Sequence, residues 1–236
     1  MTVKQMLAVF GTAAMLIAAS PLPAAAPEET FRKSFPDIRA DSVRPTSVKG
    51  LYEIVSGSQV FYYVPGPEYI ISGAIITRDR RNLTQERAQM ILAGNLKTAP
   101  LDKALKIGSG PHTVIEFTDP DCSYCRQASA FLSARNDVTR YVFFFPLSMH
   151  PNAGAKVRYI FCAADRKAAY EEAMTGKLDS MKFTPCEDAS AVESGKTHLE
   201  IGNRIGVNST PLFLIDGQVV EGADIPLMEK ILAGRK

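Results

Sequence analysis

The sequence predicts two domains of different class, a small α+β domain followed by an α/β domain that carries a helical insertion. Three apolar and aromatic runs separated by turn residues, within residues 51–76, are typical of a small antiparallel sheet. An apolar strand, a helix and a second apolar strand begin the second domain and predict a parallel βαβ unit. A C-x-x-C motif lies where that strand meets that helix, which predicts a reactive site at the carboxyl end of the strand.

The N-terminus has the pattern of a secretory signal peptide. Lys4 precedes an uncharged stretch with an apolar centre at residues 6–19, and small residues follow at positions 24–26. The apolar centre is shorter than the roughly 20 residues that a membrane-spanning helix needs. We therefore expect a cleaved signal over residues 1–26 and an exported protein, for which structural disulfides are permitted.

Neither the net charge nor the distribution of basic residues indicates a nucleic-acid partner. The 236-residue chain has a formal net charge of +2, and its positive residues are scattered. The tightest basic run, at residues 78–81, is interrupted by an aspartate and is typical of a solvated surface turn.

Residues 27–82 form the predicted N-terminal domain. Strands are predicted at residues 51–55, 59–64 and 68–76, whereas the polar segment before them holds at most a short helix limited by Pro36 and Pro45. About 60 residues make a thin core for a domain that folds alone. We therefore expect this domain to dimerise.

Residues 83–102 are predicted to form a connecting helix and linker. Asn82 is the expected N-cap, with Gln85 completing a capping box, and Ala99 and Pro100 end the helix. The catalytic domain is then expected over residues 103–236.

In this second domain we predict strands at residues 112–119 and 139–147, with a helix at residues 122–135 between them. Residues 151–205 are mostly helical and polar. Asp216 and Gly217 predict a two-residue hairpin turn between strands 212–215 and 218–221. Asp224 is the expected cap of a final helix that has Pro226 in its first turn.

The spacing of Cys122 and Cys125 permits several chemistries. A c-type haem needs histidine after the motif, but position 126 is Arg. A zinc site usually uses two close pairs, whereas Cys162 and Cys186 are far apart and have no histidine nearby. A structural disulfide within so short a loop would restrict the unfolded chain little. Redox exchange without metal or cofactor is the favoured interpretation, with zinc and a short disulfide as alternatives.

The local physics supports redox exchange. A cysteine at the first turn of a helix faces unpaired N–H groups and the positive end of the helix dipole, which favour the thiolate of Cys122. The thiolate is the attacking species in disulfide exchange. Cys125 lies one turn further on and is placed to attack the resulting mixed disulfide.

Thr210 and Pro211 directly precede the predicted hairpin strand. Thioredoxin-like proteins have a cis-proline there, beside the C-x-x-C motif, and the residue before it offers its backbone to an extended substrate. We therefore predict a cis bond and a substrate-binding role for both residues, the alternative being a trans proline that begins a strand. Tyr124 is expected to be exposed and to shape the substrate surface.

Glu116 is an acidic residue within the apolar strand that precedes the motif. Strand alternation places it inside the domain, where a buried carboxylate is a candidate proton relay for Cys125. The alternative is an exposed carboxylate at the edge of the strand.

Four segments in order carry a resemblance to a known family: FTDPDCSYCR, FCAADRKAAYEEAMTGK, the isolated Cys186 and GVNSTPLFLIDG. Over essentially its whole mature length the chain resembles the DsbC/DsbG-type periplasmic thiol:disulfide interchange proteins. The resemblance implies a cystatin-like dimerisation domain, a thioredoxin fold with a helical insertion at about residues 148–204, and a V-shaped homodimer. It also implies an exposed nucleophile at Cys122, a resolving Cys125 and a structural disulfide between Cys162 and Cys186.

The same resemblance implies a function in the periplasm of a Gram-negative bacterium. The protein would isomerise or reduce incorrect disulfides in misfolded exported proteins, and a DsbD-like membrane reductase would keep its cysteine pair reduced. Two features depart from the family: Ser123 stands where glycine is common, and Glu116 where an apolar residue is common. The alternatives are a DsbG-like reductant of oxidised cysteines and a holdase chaperone that works without Cys122.

Overall fold

The computed structural model describes residues 26–180, 183 and 186–234. Apart from Ala26, the predicted signal peptide lies outside the described residues. The described chain contains a four-stranded antiparallel sheet and a five-stranded mixed sheet, each covered by helices. None of the helices within these residues has both the length and the hydropathy required to cross a membrane.

The N-terminal sheet is a meander in which each strand pairs antiparallel with its neighbour in the chain. The strands are β1 (Ser42–Pro45), β2 (Tyr52–Ser56), β3 (Gln59–Val64) and β4 (Tyr69–Ile71), and helix α1 (Pro27–Ser34) precedes them. The small antiparallel sheet predicted from the sequence is confirmed. Strand β1 was not predicted, because its four residues lie in a mostly polar segment.

Helix α1 supplies an aromatic anchor for this sheet. Phe31 is fully buried, with its ring edge-to-face with Tyr63 at a centroid distance of 5.1 Å. Two glutamates occupy the first turn of α1, and Arg32 and Lys33 the last turn, so the charges complement the helix dipole. A short polar helix is stable here because one apolar side chain enters the core.

Strand β4 is shorter than predicted, because it ends at Ile71 and not at residue 76. Gly73 follows within the predicted run, and glycine weakens a strand interior. Ile76 makes only an isolated bridge with Asn82. Strand β4 is therefore a short edge strand, with Tyr69 64% and Ile71 46% exposed.

The predicted connecting helix is α2 (Leu83–Leu96), and its N-cap is confirmed, since Asn82 Oδ1 accepts from the Gln85 amide at 3.0 Å. Leu92 and Leu96 are buried in a cluster shared with the second domain. Asn95 Nδ2 also donates to the carbonyl of Ile205 at 3.0 Å. Helix α2 therefore packs against the second domain along one side.

The second sheet has the strand order β5-β7-β6-β8-β9. Its strands are β5 (Leu105–Gly108), β6 (His112–Thr118), β7 (Val138–Phe144), β8 (Leu212–Ile215) and β9 (Gln218–Glu221). Strands β6 and β7 are parallel, as the predicted βαβ unit requires, and the other pairs are antiparallel. Strand β5 was not predicted, because its four residues follow a 3₁₀ turn and alternate only briefly.

Helices cover both faces of this sheet. They are α3 (Ser123–Ser133), α4 (Ala153–Cys162), α5 (Arg166–Met174), α6 (Lys177–Ser180), α7 (Ala189–Ile205) and α8 (Ile225–Ala233). Helices α3 and α8 pack with Val114 of β6, whereas α2 and α7 pack with Phe117 of the same strand. Helices α4 to α7 follow one another between β7 and β8, which matches the helical insertion expected there.

Two local predictions near the C-terminus are confirmed. Asp216 and Gly217 have φ values of +47° and +89°, as a two-residue hairpin of the favoured twist requires. The side chain of Asp224 accepts from the Leu227 amide at 3.1 Å and caps helix α8.

His198 on α7 is buried, and its hydrogen bonds define its protonation state. Nδ1 lies 3.0 Å from the amide of Phe144, so it accepts and carries no proton. Nε2 lies 2.8 Å from the carbonyl of Lys103 and donates to it. Burial lowers the pKa of His198 to about 4, so the imidazole is neutral in the folded protein at neutral pH.

Candidate active site

The cysteine motif lies where β6 ends and α3 begins. Cys122 is the N-cap of α3 and has an extended backbone conformation, and Cys125 lies in the first turn. Both cysteines are free thiols. The end of β6 therefore places the pair at the N-terminus of α3, where the first backbone N–H groups of the helix have no partner within the helix.

Cys122 is more covered than expected. Only 7% of the surface of Cys122 is exposed, so the expectation of an exposed nucleophile is wrong in this structure. The carbonyl oxygen of Thr210 lies 3.6 Å from the Cys122 sulfur and accepts from the thiol. The loop before β8 therefore covers the sulfur from one side.

Cys125 is buried more deeply, with 1% of the residue exposed. Burial raises the pKa of the Cys125 thiol well above its usual range. The hydroxyls of Thr118 and Thr210 and the backbone N–H of Asp119 act in the opposite direction, and that N–H lies 3.4 Å from the sulfur. Within the described residues, both hydroxyl oxygens are buried and no hydrogen-bond partner lies within geometric reach of them.

The bond between Thr210 and Pro211 is cis, as the sequence predicts. The amide of Gly222 donates to the carbonyl of Pro211 at 2.8 Å and fixes this loop against the end of β9. The loop thereby holds the Thr210 backbone beside Cys122. Tyr124 is 64% exposed on the adjoining surface, in agreement with its prediction.

Glu116 lies inside the domain and not at an exposed edge. It is fully buried, and its carboxylate accepts from Arg140 Nε and Nη2 at 2.8 to 3.1 Å. The hydroxyl of Tyr170 donates to Glu116 Oε1 at 3.0 Å. In the described part of the chain, none of the hydrogen bonds of Glu116 reaches Cys125.

The buried polar cluster around Glu116 brings together three other elements, because its partners Arg140 and Tyr170 both also contact Ser129. Arg140 lies on β7, Ser129 on α3 and Tyr170 on α5, and Arg140 Nη2 donates to the hydroxyls of both Ser129 and Tyr170. Burial raises the pKa of Tyr170, so its hydroxyl stays protonated and remains a donor. This cluster ties the insertion helix α5 to the sheet and to α3, the helix that begins at the C-x-x-C motif.

Asp119 is a site residue that the sequence analysis did not single out. Its buried carboxylate accepts from the amides of Asp121 at 2.8 Å and Leu147 at 2.7 Å. Nδ1 of His150 lies 2.8 Å from the same carboxylate. The only sequence signal for Asp119 is its position directly after the buried strand and before the motif.

Cys162 and Cys186 form a disulfide, with a Cα–Cα distance of 6.3 Å. This is the pairing that the family resemblance implies. The bond joins the end of α4 to the segment before α7 and closes a loop that contains α5 and α6.

Comparison with known proteins gives one consistent result. The model of the disulfide bond isomerase protein N-terminal domain matches residues 18–85, and that of a thioredoxin-like domain matches residues 101–226. The probable thiol:disulfide interchange protein DsbC of Bordetella avium (strain 197N) is 31% identical over 196 residues, which are 81% of this chain and 68% of the relative. DsbC of Escherichia coli (strain K12) is 26% identical over 209 residues, 86% of this chain and 84% of the relative.

Among solved structures, a disulfide interchange protein from Neisseria gonorrhoeae is similar at 28% sequence identity and a TM-score of 0.48. The similarity covers 56% of this chain and 95% of that one.

Proposed function

Because the chain belongs to the DsbC family of thiol:disulfide interchange enzymes, we propose that it isomerises and reduces incorrect disulfides in exported proteins through Cys122 and Cys125. The observation that carries this proposal is the position of Cys122 at the N-terminus of α3, 3.6 Å from the Thr210 carbonyl. A thiolate there attacks a disulfide whose chain is held by the neighbouring backbone.

In the first step the Cys122 thiolate attacks one sulfur of a substrate disulfide. A bond forms between Cys122 and that sulfur, and the other substrate sulfur leaves as a thiolate. If a different substrate thiolate then attacks the mixed disulfide, Cys122 is released and the substrate is isomerised. If Cys125 attacks instead, the substrate leaves reduced and the enzyme keeps a Cys122–Cys125 disulfide.

The environment of Cys125 favours the isomerisation branch. Its raised pKa keeps most of the thiol protonated, so its attack on the mixed disulfide is slow. A long-lived mixed disulfide gives other substrate thiols time to attack. The hydroxyls of Thr118 and Thr210 lower the pKa of Cys125 against this effect of burial and so favour the reduction branch.

Substrate binding is assigned to Thr210, Pro211 and Tyr124. The Thr210 backbone receives an extended substrate segment, Pro211 holds that backbone beside Cys122, and Tyr124 provides an exposed apolar surface. Met149, which is 74% exposed, adds apolar surface in the loop that follows β7. Exposed apolar side chains of this kind bind the apolar segments that partly unfolded substrate chains expose.

For Glu116 we propose a structural role in the buried ion pair. Both carboxylate oxygens accept hydrogen bonds from Arg140, and Oε1 also accepts from the Tyr170 hydroxyl. The proton relay to Cys125 stays a prediction, because it requires a rearrangement of these contacts.

The N-terminal domain identifies the protein as a dimer-forming family member. We assign the contact to β4, where Tyr69 and Ile71 are exposed and which is the last strand of its sheet among the described residues. The two catalytic domains would then face one cleft that receives misfolded chains. Light scattering of the mature protein at micromolar concentration should give twice the monomer mass, and Ile71→Lys should lower it.

We propose the domain bounds, the compartment and the electron donor from the membership of the chain in this family. The signal peptide covers residues 1–26, the dimerisation domain 27–82, the connecting helix and linker 83–102, and the catalytic domain 103–236. The protein functions in the periplasm, where a DsbD-like membrane reductase supplies electrons to the Cys122–Cys125 disulfide.

The test uses a substrate with scrambled disulfides in a glutathione buffer. Recovery of native substrate should depend on Cys122 and be lost in Cys122→Ala. Cys125→Ala should keep isomerisation and lose catalysed reduction. If Cys122→Ala retains full recovery, the assignment fails. If neither cysteine matters but the protein still prevents aggregation, it is a holdase chaperone.

A further inference from the structure

Four charged side chains form a closed network beside the catalytic cysteines: Asp121, Arg126, Lys156 and Asp179. Asp121 directly precedes Cys122, and Arg126 directly follows Cys125. Lys156 lies on α4 and Asp179 on α6, so the other half of the network belongs to the helical insertion. None of these residues belongs to the site that the sequence predicts.

Arg126 connects the two halves. Its Nη1 and Nη2 donate to the two carboxylate oxygens of Asp179 at 2.6 and 2.9 Å, as a fork. Its Nε donates to the carbonyl of Pro120 at 2.7 Å, and Nη2 also lies 3.4 Å from Asp121 Oδ1. One guanidinium therefore holds the loop that leads into Cys122 and ties it to α6.

Lys156 closes the network. It is 3% exposed, and its Nζ contacts Oδ1 of both Asp121 and Asp179. A buried ammonium is retained only where opposite charges compensate it. The guanidinium fork holds the pKa of Asp179 at about 2, so this carboxylate is charged throughout the working range of pH.

The backbone at Gly176 leaves room for this contact. Its φ is +76°, and a Cβ there would lie 3.0 Å from Arg126 Nη1 and 3.1 Å from Asp179 Oδ2. A side chain at this position would therefore crowd the fork. Gly176 both permits the backbone turn before α6 and leaves space for the guanidinium.

We propose that Lys156 and Asp179 are positioning residues that, through Asp121 and Arg126, set the reactivity of Cys122 from within the helical insertion. The inference rests on the proposed role of Cys122 as nucleophile. The two cations and two carboxylates sum to zero charge, so the removal of any one leaves an unbalanced charge next to Cys122. Two further titratable side chains at this loop, Asp119 and His150, contact each other at 2.8 Å.

The net charge of the network determines the direction in which each substitution shifts the pKa of Cys122. Without the carboxylate of Asp179 the network carries one excess positive charge, which stabilises the Cys122 thiolate. Without the ammonium of Lys156 it carries one excess negative charge, which destabilises the thiolate. If the two residues only held the loop in place, either substitution would loosen it. Both variants would then shift the pKa of Cys122 in the same direction.

The experiment measures alkylation of Cys122 by iodoacetamide as a function of pH. A Cys125→Ser background leaves Cys122 as the free thiol among the four cysteines, since Cys162 and Cys186 are bonded. Asp179→Asn should lower the pH midpoint by about half a unit to one unit, and Lys156→Met should raise it by a similar amount. At a pH below the midpoint, these shifts are roughly threefold to tenfold changes in rate.

The matched control is Glu86→Gln, which removes a carboxylate from a similar arginine fork, that of Arg81 in the N-terminal part of the chain. It should leave the midpoint unchanged, and Asp179→Glu should restore the wild-type value. Shifts in the same direction for Asp179→Asn and Lys156→Met, or shifts no larger than that of the control, would overturn the inference. The readout needs no substrate, so a failure of the proposed function would appear separately, as absence of Cys122-dependent disulfide recovery.

Discussion

Glu116 on β6 and Arg140 on β7 form an ion pair within the core of the catalytic domain, with Oε2 of Glu116 2.8 Å from Nη2 of Arg140. The residues are 0% and 1% exposed. Through Ser129 and Tyr170, this pair also couples its two strands to helices α3 and α5. A buried pair is costly to break, because either partner alone is an uncompensated charge.

We expect Glu116→Gln to lower the free energy of unfolding by about 3 to 5 kcal/mol, since Arg140 then lacks its counter-charge. The double variant Glu116→Val with Arg140→Leu should recover most of this loss, because apolar residues replace both charges. Denaturant unfolding at pH 7 measures both values. If Glu116→Gln instead leaves stability intact and changes the pH dependence of Cys125 attack, the residue is the proton relay.

His198 should make the protein less stable in weak acid. The unfolded chain protonates this histidine near pH 6.5, whereas the folded protein keeps it neutral down to about pH 4. Because the unfolded state then binds more protons, the free energy of unfolding falls as the pH decreases through this window. Between pH 6.5 and 5 the His198 contribution should change by about 1.5 kcal/mol.

Denaturant unfolding at several pH values, compared with His198→Asn, isolates this contribution. Asn has an amide that can accept from Phe144 but does not titrate, so its stability should vary less over the same window. Equal slopes for the two proteins would show that His198 does not remain neutral in the folded state.

Thr118→Val should slow the attack of Cys125 on the mixed disulfide. The substitution keeps the shape of the side chain but removes a hydroxyl that stabilises the Cys125 thiolate, so less of the attacking species is present. We expect roughly a tenfold slower resolution, equivalent to about 1.4 kcal/mol. Single-turnover decay of a mixed disulfide between Cys122 and a model peptide measures the rate.

The control for this prediction is Thr113→Val, the same substitution at an exposed position of the same strand. It should leave the resolution rate unchanged. A Thr118→Val rate equal to that of the control would remove Thr118 from the reaction.

Loss of the disulfide between Cys162 and Cys186 should destabilise the insertion. The bond closes a loop with a sequence separation of 24, and the chain-entropy model gives about 3.5 kcal/mol for a loop of this size. Cys162→Ser with Cys186→Ser should lower the free energy of unfolding by this order. The control is Cys122→Ser with Cys125→Ser, whose unfolding in the absence of oxidant should differ little from wild type.

Much of the fold was predictable because it depends on local chemistry. Runs of alternating apolar and β-branched residues predicted β2 and β3. The Asp216–Gly217 pair predicted the hairpin turn. Asn82 and Asp224 predicted the starts of two helices. Strands β1 and β5 were missed, since each has four residues and gains its stability from a neighbouring strand. Strand β4 was predicted too long, because an apolar run does not reveal where pairing stops.

The sequence by itself determined the two-domain order, the C-x-x-C motif at a strand-to-helix junction and the Thr210–Pro211 loop that accompanies it. These features are encoded in spacing over a few residues, and their order along the chain is specific. Only the tertiary structure decided which side chains surround the cysteines. It placed Arg140 against Glu116, His150 against Asp119, and Asp179 against Arg126, and it covered Cys122 with the Thr210 carbonyl. Each of these contacts joins different elements, so it depends on how helices and strands pack and leaves no periodic trace in the chain.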